Sequence, residues 1–402
     1  MLRRLLPEPG PLRVLTAVTL VNTVGKGLWV TASALYLTQV VGLSAGEFGL
    51  GLTAASLVCL VASTPMGYLA DRRGPRGVQI VSYALMALLT AAMLLVDSFA
   101  AFVALSAVTA LVDAAQRGAR GALIAGALPA ERRVHGRAYL RATTNVGISI
   151  GAALAGLAIA ADSPTAYRLM IVGNAVSYLA VALIAVRLPA LPPVPATAGP
   201  RLVALRDRPY LAFVALDGLL SMHFDLLTVV LPLWIVARTD APHWLIAVLL
   251  LINTTMVVLL QVRAARGTEQ VEGAARVARS AGLFVAAACL LFAASAGVPG
   301  WAAAVLLILG ALVHVVGELR QSAAGWGISF GLAPDGAQGQ YQAAYSMGAQ
   351  LGRMLAPAVL VWLALEHGLV GWLTMAVVFT AVAAALPATV SWARRTARPL
   401  PA

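Results

Sequence analysis

The chain has 402 residues, of which 60% are hydrophobic and only 11% are charged. Soluble domains carry about 25% charged residues, so this composition excludes a water-soluble globular protein and indicates one surrounded by lipid. The net charge of +12 does not indicate a nucleic-acid partner, because the basic residues recur in short clusters between apolar runs, as they do in the loops of membrane proteins.

Apolar segments follow one another along the whole chain. A helix needs about 20 predominantly apolar residues to cross the hydrocarbon core of a bilayer. The predicted spans are residues 14–40, 46–70, 78–96, 98–127, 138–161, 167–187, 209–236, 242–263, 278–297, 300–331, 340–365 and 369–392. We therefore predict an all-α membrane protein with twelve transmembrane helices and the lipid bilayer as its surroundings.

The connections between these spans alternate in charge. Those after even-numbered spans carry arginine clusters, such as Arg72, Arg73 and Arg76 after span two. The opposite connections are mainly acidic, with Asp97 and Asp240 among them. Because basic loops remain in the cytoplasm, we predict that both termini are cytoplasmic and that the protein spans the bacterial inner (cytoplasmic) membrane several times.

A hydrophilic stretch at residues 188–208 lies at the midpoint of the chain and is the longest of its kind. We predict that it is a cytoplasmic linker. It separates an N-terminal bundle of six helices, residues 1–187, from a C-terminal bundle of six helices, residues 209–402.

The two predicted bundles contain a weak internal repeat. Residues 113–129 resemble residues 318–334 at a shift of 205, which aligns Asp113 with Glu318. Each block lies in the fourth span of its half, so the repeat predicts a duplicated architecture. Duplicated halves are typical of secondary transporters, in which the substrate site lies between the halves near the membrane midplane.

One motif follows span two and reads Gly-Tyr-Leu-Ala-Asp-Arg-Arg-Gly-Pro-Arg over residues 67–76. It resembles the signature between helices two and three of the major facilitator superfamily. The matching residues are Gly67, Asp71, Arg72, Gly74 and Arg76, whereas Pro75 replaces the first of the two closing basic residues. The resemblance implies two pseudo-symmetric six-helix bundles (the major facilitator fold), with helices 1, 4, 7 and 10 around a central cavity. A tight turn with stop-transfer charges is the alternative.

The chemistry of this motif is that of a conformational lock. Gly67 allows two helices to approach closely, and Asp71 is able to cap a helix N-terminus or to pair with a nearby arginine. Arg72 and Arg76 reach acidic groups or helix ends. In the family that this motif resembles, such contacts stabilise the outward-open form.

Span five contains Gly147, Gly151 and Gly156. This spacing resembles the helix-five motif of exporters in the same family, although Ala152 and Ala155 depart from it and the motif's proline is missing. The alternative is packing between helices, which small residues promote in membranes. Among the branches of the family, the chain looks most similar to bacterial exporters of drugs and natural products.

Ionisable residues inside the predicted spans are the main candidates for function. Each costs about 2.5–3.5 kcal/mol to insert and usually faces a polar cavity. The candidates for proton coupling are Asp113, Asp225, Glu318, Asp217 and His314. The candidates for lining a substrate cavity are Lys26, Trp29, Tyr36, Arg117, His223, Phe224, Trp326 and Arg353.

The spacing of these residues suggests partners for some of them. Asp113 and Arg117 are four residues apart and therefore share a helix face, either as a fixed ion pair or as part of a coupling site. Lys26 either binds an anion or neutralises a neighbouring carboxylate. Arg353 is a candidate counter-ion for Glu318.

Several function classes are not supported by the sequence. The chain lacks a Gly-x-x-x-x-Gly-Lys-Ser/Thr phosphate-binding loop, a cluster of metal ligands, a recognisable nucleophile with its base, and loops long enough for a catalytic domain. We therefore expect no cofactor, no metal and no enzymatic activity.

The prediction that unites these features is a secondary active transporter that works by alternating access. We expect proton-coupled export of a small amphipathic molecule, such as a drug, an antibiotic or a metabolite, by a monomeric antiporter. The alternatives are a facilitator or a proton symporter that imports a sugar, a peptide or an organic anion, and a membrane receptor that transports nothing.

Overall fold

The computed structural model describes Pro7 and residues 9–160, 163–193, 202–334 and 336–396. All regular secondary structure in these residues is helical. The α-helices are α1 (Pro11–Leu35), α2 (Ala45–Arg73), α3 (Pro75–Ala92), α4 (Phe99–Ala127), α5 (Ala130–Ala160), α6 (Pro164–Ala185), α7 (Arg208–Leu220), α8 (Leu231–Arg238), α9 (Leu245–Ala264), α10 (Val271–Ala294), α11 (Gly300–Leu332), α12 (Gln338–Val361) and α13 (His367–Thr396).

Local sequence explains where several helices begin. Ser44 and Glu47 form a reciprocal capping box at the start of α2, with the Ser44 amide donating to Glu47 Oε2 at 2.8 Å. Ser163 caps α6, whose first residue is Pro164. Gly74 separates α2 from α3 with a φ of +83°, a left-handed conformation that glycine adopts without steric cost.

Ten helical segments of the described residues are long and apolar enough to cross a membrane. Their outer surfaces support this, since Val61, Leu95 and Trp301 are 77%, 83% and 75% exposed. Exposed apolar side chains of this size are unfavourable in water and stable against lipid. The prediction of an all-helical membrane protein is confirmed.

The predicted span at 209–236 is not one continuous helix. Between α7 and α8 lie a 3₁₀ turn at Ser221–His223 and a π turn at Leu226–Val230. Pro232 follows at the start of α8. A proline lacks the amide hydrogen of a regular helix and its ring clashes with the carbonyl four residues earlier, which accounts for the widened turn before it.

The last apolar segment, Gln338–Thr396, has 59 residues and is bent near its middle. A π turn at Trp362–Glu366 is followed by Gly368, whose φ of 53° and ψ of −125° are not helical. This bend separates α12 from α13, close to the boundary predicted between residues 365 and 369.

The helices pack in two sets with similar neighbours. In the first set, α1–α6, α3 packs against α4 and α6, and α1 packs against α5 and α6. In the second set, α7–α13, α10 packs against α11 and α13, and α7 packs against α12 and α13. The sets meet where α2 and α4 pack against α12, and α5 against α9 and α11. The repeated segments end in register, because α4 ends at Ala127 and α11 ends at Leu332, 205 residues later.

Two of the three predicted packing glycines lie where α5 crosses α1. A Cβ atom on Gly151 would be 2.1 Å from the carbonyl oxygen of Val24, and one on Gly147 would be 2.0 Å from Thr23 Oγ1. Only a residue without a side chain fits at such distances. For Gly156 the packing prediction is wrong, because a Cβ there would meet open space.

Candidate functional site

A cavity of about 760 Å³ lies between the first set of helices and the second. Its walls come from α1, α4 and α5 on one side and from α9, α11 and α12 on the other, together with the turns between α7 and α8. The predicted site residues that line it are Lys26, Asp113, Arg117, Phe224, Asp225, Glu318, Trp326 and Arg353. The structure thus brings together charged residues that are up to 327 positions apart in sequence.

Asp113 lies between two cations. Its Oδ1 accepts a hydrogen bond from Lys26 Nζ at 3.3 Å, and its Oδ2 accepts one from Arg117. Arg117 also donates to Cys59 Sγ at 3.3 Å. Of the two roles suggested for Lys26, neutralisation of a neighbouring carboxylate is the one that this contact performs. We call Lys26, Asp113 and Arg117 the Asp113 triad, and it carries one net positive charge.

Glu318 joins the two sets of helices. Its Oε1 accepts from Arg141 Nη2 of α5 at 2.6 Å, and its Oε2 accepts from Asn253 Nδ2 of α9 at 2.8 Å. Arg141 also donates to Ser322 Oγ. The suggestion that Arg353 is the counter-ion of Glu318 is therefore wrong, because an arginine from the opposite set occupies that place.

Asp225 differs from the other two carboxylates of the cavity. It lies in the break between α7 and α8 and interacts electrostatically with Arg353. Its Oδ2 has no hydrogen-bond partner among the described residues. Asp225 is thus held less tightly than Asp113 or Glu318.

Three predicted residues lie behind the cavity wall. Asp217 is 3% exposed, and its Oδ1 accepts from Gln321 Nε2 at 2.9 Å. His223 and His314 are fully buried, with 3.1 Å between His223 Nδ1 and His314 Nε2. His223 was expected to line the cavity, and this expectation is wrong because the 3₁₀ turn that contains it directs the ring towards α11.

The predicted aromatic residues do not all share one site. Trp29 lines a second cavity of about 280 Å³, which borders on the Asp113 triad and lies mainly among the first set of helices. Tyr36 is 2% exposed and belongs to an apolar cluster with Met93 and Phe102, and its hydroxyl donates to the carbonyl of Leu94 at 3.4 Å. The prediction that Tyr36 lines the substrate cavity is wrong.

Arg137 was given no role from the sequence, but it lines the cavity. It donates to Gln342 Oε1 at 2.5 Å. Its guanidinium carbon lies 5.7, 5.4 and 5.8 Å from the ring centroids of Trp326, Phe330 and Tyr345. Arg137 was placed in a loop because its arginine neighbours suggested a membrane boundary, whereas α5 begins at Ala130. Its spacing of four residues from Arg141 was the signal of a shared helix face.

Arg120 is a second lining residue that was not assigned a role. It points from α4 into the cavity, and its Nη2 donates to Thr19 Oγ1 of α1 at 3.1 Å. It follows Asp113 by seven residues, or two helical turns, so it lies on the same face of α4. That spacing was visible in the sequence.

The motif at residues 67–76 connects α2 to the second set of helices. Asp71 accepts hydrogen bonds from the backbone amides of Gly339 and Gln340 at 2.8 and 3.1 Å. These amides open α12, so the carboxylate caps a helix N-terminus and interacts favourably with its dipole. Gly67 permits this approach, because a Cβ there would lie 2.5 Å from the carbonyl oxygen of Gly339.

The other motif residues contact their own set of helices. The guanidinium of Arg72 lies 5.0 Å from the ring centroid of Tyr68, and Arg76 donates to the carbonyl of Val186 after α6. Gly74 forms the sharp turn between α2 and α3. Gly67 and Asp71 contact the start of α12.

We call the end of the helices that holds Asp71 the Asp71 end. Hydrogen bonds between the two sets of described helices start there with Asp71 and continue inward with Arg137 and Arg141. The farthest, from Gln350 Nε2 to the carbonyl of Ser56 at 3.2 Å, lies near the middle of α12 and α2. The cavity is therefore closed at the Asp71 end.

Comparison with known proteins identifies relatives of this chain. The family model of the Major Facilitator Superfamily matches residues 15–357. A search of curated proteins finds no match.

Solved structures with the same fold share little sequence with the chain. The human organic anion transporter MFSD10 (TETRAN) is 16% identical, with 94% of this chain and 98% of that chain covered and a TM-score of 0.68. A bacterial homologue of the iron transporter ferroportin in its outward-facing state is 14% identical, with coverages of 96% and 99% and a TM-score of 0.73. The proton:xylose symporter XylE is 13% identical, with coverages of 96% and 96% and a TM-score of 0.66.

Proposed function

Since the chain belongs to the major facilitator superfamily, and is therefore a transporter and not an enzyme, we propose that it exports a small amphipathic molecule by alternating access. The observation that carries this proposal is the charged cavity between the two sets of helices, closed at the Asp71 end. A site between two bundles that rock against each other is the usual arrangement of a secondary transporter.

The architecture that we propose has twelve spans in two pseudo-symmetric bundles. Ten candidates are supported by length and composition alone. α5 adds one, because its 31 residues cover the bilayer and its Arg137 and Arg141 contact the other bundle. The bend at Gly368 divides the final 59-residue candidate into two spans of normal length, which adds the twelfth. The bundles are residues 1–187 and 209–402, joined by 188–208, of which 194–201 lie outside the described residues.

We place the Asp71 end and both termini in the cytoplasm of a bacterium, because arginines cluster in the connections at that end. Labelling of single cysteines with a membrane-impermeant maleimide tests this orientation. Cysteines at Arg73 and Arg266 should react from the cytoplasm, and cysteines at Asp97 and Asp240 from outside. Reaction of Arg73→Cys in intact cells would contradict the proposed orientation.

With that orientation, the conformation described here faces outward. The carboxylate of Asp71 joins α2 to the first amides of α12 on the cytoplasmic side. Hydrogen bonds to a charged group contribute about 1.5–3 kcal/mol each. The latch at Asp71 therefore contributes enough to hold the cytoplasmic side closed until substrate or proton binding favours the other state.

The residue that we propose as the proton carrier is Asp225. Asp113 is held between two cations and Glu318 is paired with Arg141, so both carboxylates are already engaged by basic partners. Asp225 lines the cavity, and its buried Oδ2 has no hydrogen-bond donor among the described residues. A proton would bind to Asp225 from outside and leave it on the inside. This inward movement of protons would drive the outward movement of the solute.

Proteoliposomes that contain the purified protein and a trapped pH-sensitive dye test this proposal. We expect that at least one of three solutes, naphthalene-2-sulfonate, its neutral sulfonamide and ethidium, moves with a proton flux that an ionophore abolishes. Asp225→Asn should remove the proton flux, whereas Asp97→Asn, an exposed residue between α3 and α4, should not. Solute movement that is unaffected by the ionophore would reject proton coupling, and no movement of any solute would reject the proposal.

A facilitator or importer is the second candidate, and the excess of arginine in the cavity favours it. Such a protein exchanges labelled for unlabelled solute without any imposed gradient. Counterflow at the wild-type rate in Asp225→Asn would support this candidate over proton-coupled export.

A further inference from the structure

The charges that line the cavity do not balance. Among the described residues, the lining contains six cationic side chains and three carboxylates, a net charge of +3. The Asp113 triad accounts for one of the excess charges, whereas the Arg141–Glu318 pair is neutral. Asp225 and Arg353 also line the cavity, and their charges offset each other. Two positive charges therefore remain, and they belong to Arg120 and Arg137.

Arg120 and Arg137 lie at the closed end of the cavity, in its floor. Arg120 is seven residues from the end of α4 at Ala127, and Arg137 is seven residues from the start of α5 at Ala130. At a rise of 1.5 Å per residue, both are about 10 Å above the Asp71 end. Both side chains line the same cavity, and Gln342, which accepts from Arg137, packs against Gly121, the residue that follows Arg120. The two like charges therefore share one site.

Neither guanidinium has a carboxylate partner in the part of the chain that the structure describes. Arg120 donates to the hydroxyl of Thr19, and Arg137 donates to the amide oxygen of Gln342. Neutral acceptors fix the direction of each side chain without cancelling its charge. Two like charges without a counter-ion are unfavourable where water is scarce, and an anion between them would remove that cost.

The surroundings of this floor are aromatic. The rings of Trp326 and Tyr345 line the cavity and also hold the guanidinium of Arg137 through cation–π contacts. Phe224 also lines the cavity and lies 5.1 Å from the guanidinium carbon of Arg141. A solute bound here would have apolar ring faces beside its body and two arginine side chains beside its head.

We infer that the substrate is an aromatic organic anion, whose carboxylate, sulfonate or phosphate group is bound by Arg120 and Arg137 in the floor of the cavity. This inference rests on the proposed function, because it assigns the central cavity to the substrate. A cationic solute would be repelled by the net charge of the lining. A neutral solute would leave the repulsion between the two arginines uncompensated.

Binding of matched probes to the purified protein in nanodiscs tests the inference without any transport step. The probes are naphthalene-2-sulfonate, neutral naphthalene-2-sulfonamide and cationic naphthalen-2-ylmethylammonium, which share one ring system. We expect the sulfonate to bind at least tenfold more tightly than the sulfonamide, and the ammonium compound to bind most weakly. The advantage of the sulfonate should fall as salt concentration rises, because the interaction is electrostatic.

Variants locate the site. Arg120→Gln and Arg137→Gln should each reduce affinity for the sulfonate about tenfold and leave affinity for the sulfonamide unchanged. Arg279→Gln is the matched control, since Arg279 is an exposed arginine of α10 outside the cavity lining. Arg120→Lys keeps the charge and should retain most of the affinity, which separates loss of charge from loss of folding.

The inference is overturned if the sulfonate binds no more tightly than the sulfonamide. It is also overturned if neither compound binds. It is also overturned if Arg279→Gln weakens sulfonate binding as much as Arg120→Gln does. Failure of this inference can be distinguished from failure of the proposed function. Transport of ethidium or of the sulfonamide alone would refute an anionic substrate but would still support a transporter. Tight sulfonate binding without flux of any solute would keep the anion site and refute the proposed transport.

Discussion

At the scale of single residues, the largely buried ion pair of Arg141 and Glu318 links the two sets of helices. Removal of one partner from a buried ion pair costs about 3 kcal/mol or more, because the other charge is left without compensation. We predict that Arg141→Gln and Glu318→Gln each lower the midpoint of thermal unfolding in detergent. The exchanged pair Arg141→Glu with Glu318→Arg should recover part of the loss.

The control for this prediction is Glu272→Gln. Glu272 pairs with Arg394, and the two side chains are 54% and 50% exposed. A pair this exposed contributes about 0–1 kcal/mol, so its removal should barely shift the midpoint. If the Glu272 and Glu318 variants unfold at the same temperature, the link between the helix sets contributes nothing to stability.

Residue pairs within one helix could be predicted from the sequence, whereas pairs between helices could not. The spacing of Asp113 and Arg117 predicted the ion pair that the structure contains. Glu318 was assigned to the wrong arginine, because its partner is 177 positions away and spacing carries no information at that distance. The role of Arg137 was missed because the residue was assigned to a loop, and because its contacts with α11 and α12 leave no pattern in the sequence.

At the scale of elements, the crossing of α1 and α5 depends on glycine. We predict that Gly151→Leu greatly reduces the yield of folded protein, because the side chain would collide with the carbonyl of Val24. Gly156→Leu lies one and a half turns further along the same helix, where a Cβ meets open space. It should give a wild-type yield in size-exclusion chromatography, and equal yields from both variants would contradict this packing.

The extents of most helices followed from apolar length alone. The prediction at 300–331 agrees closely with α11 at Gly300–Leu332. Apolar length failed to predict the start of α5, where a charged stretch is helical and its Arg137 contacts the opposite set. Apolar length also failed to predict the break between α7 and α8, because hydropathy does not report the effect of Pro232 on the backbone.

At the scale of the whole molecule, the fold was readable from composition, from the alternation of charge and from the motif at residues 67–76. The conformational state was not. Which end of the cavity is closed depends on contacts between α2 and α12, and the same sequence must also adopt the opposite state if it works by alternating access.

The most direct test of this account is a pair of distances measured by pulsed electron paramagnetic resonance. Spin labels at Arg73 and Arg266 report on the Asp71 end, and labels at Asp97 and Asp240 report on the opposite end. All four positions are exposed. The native cysteines are free and buried, and they are replaced by alanine in this experiment.

Asp71→Asn is the perturbation, because it removes the charge that caps α12. A loss of about 2 kcal/mol, typical of a hydrogen bond to a charged group, would change the ratio of the two states roughly thirtyfold. We predict a longer distance between Arg73 and Arg266 together with a shorter distance between Asp97 and Asp240. Unchanged distances at both ends, or distances that lengthen together, would contradict alternating access around this cavity.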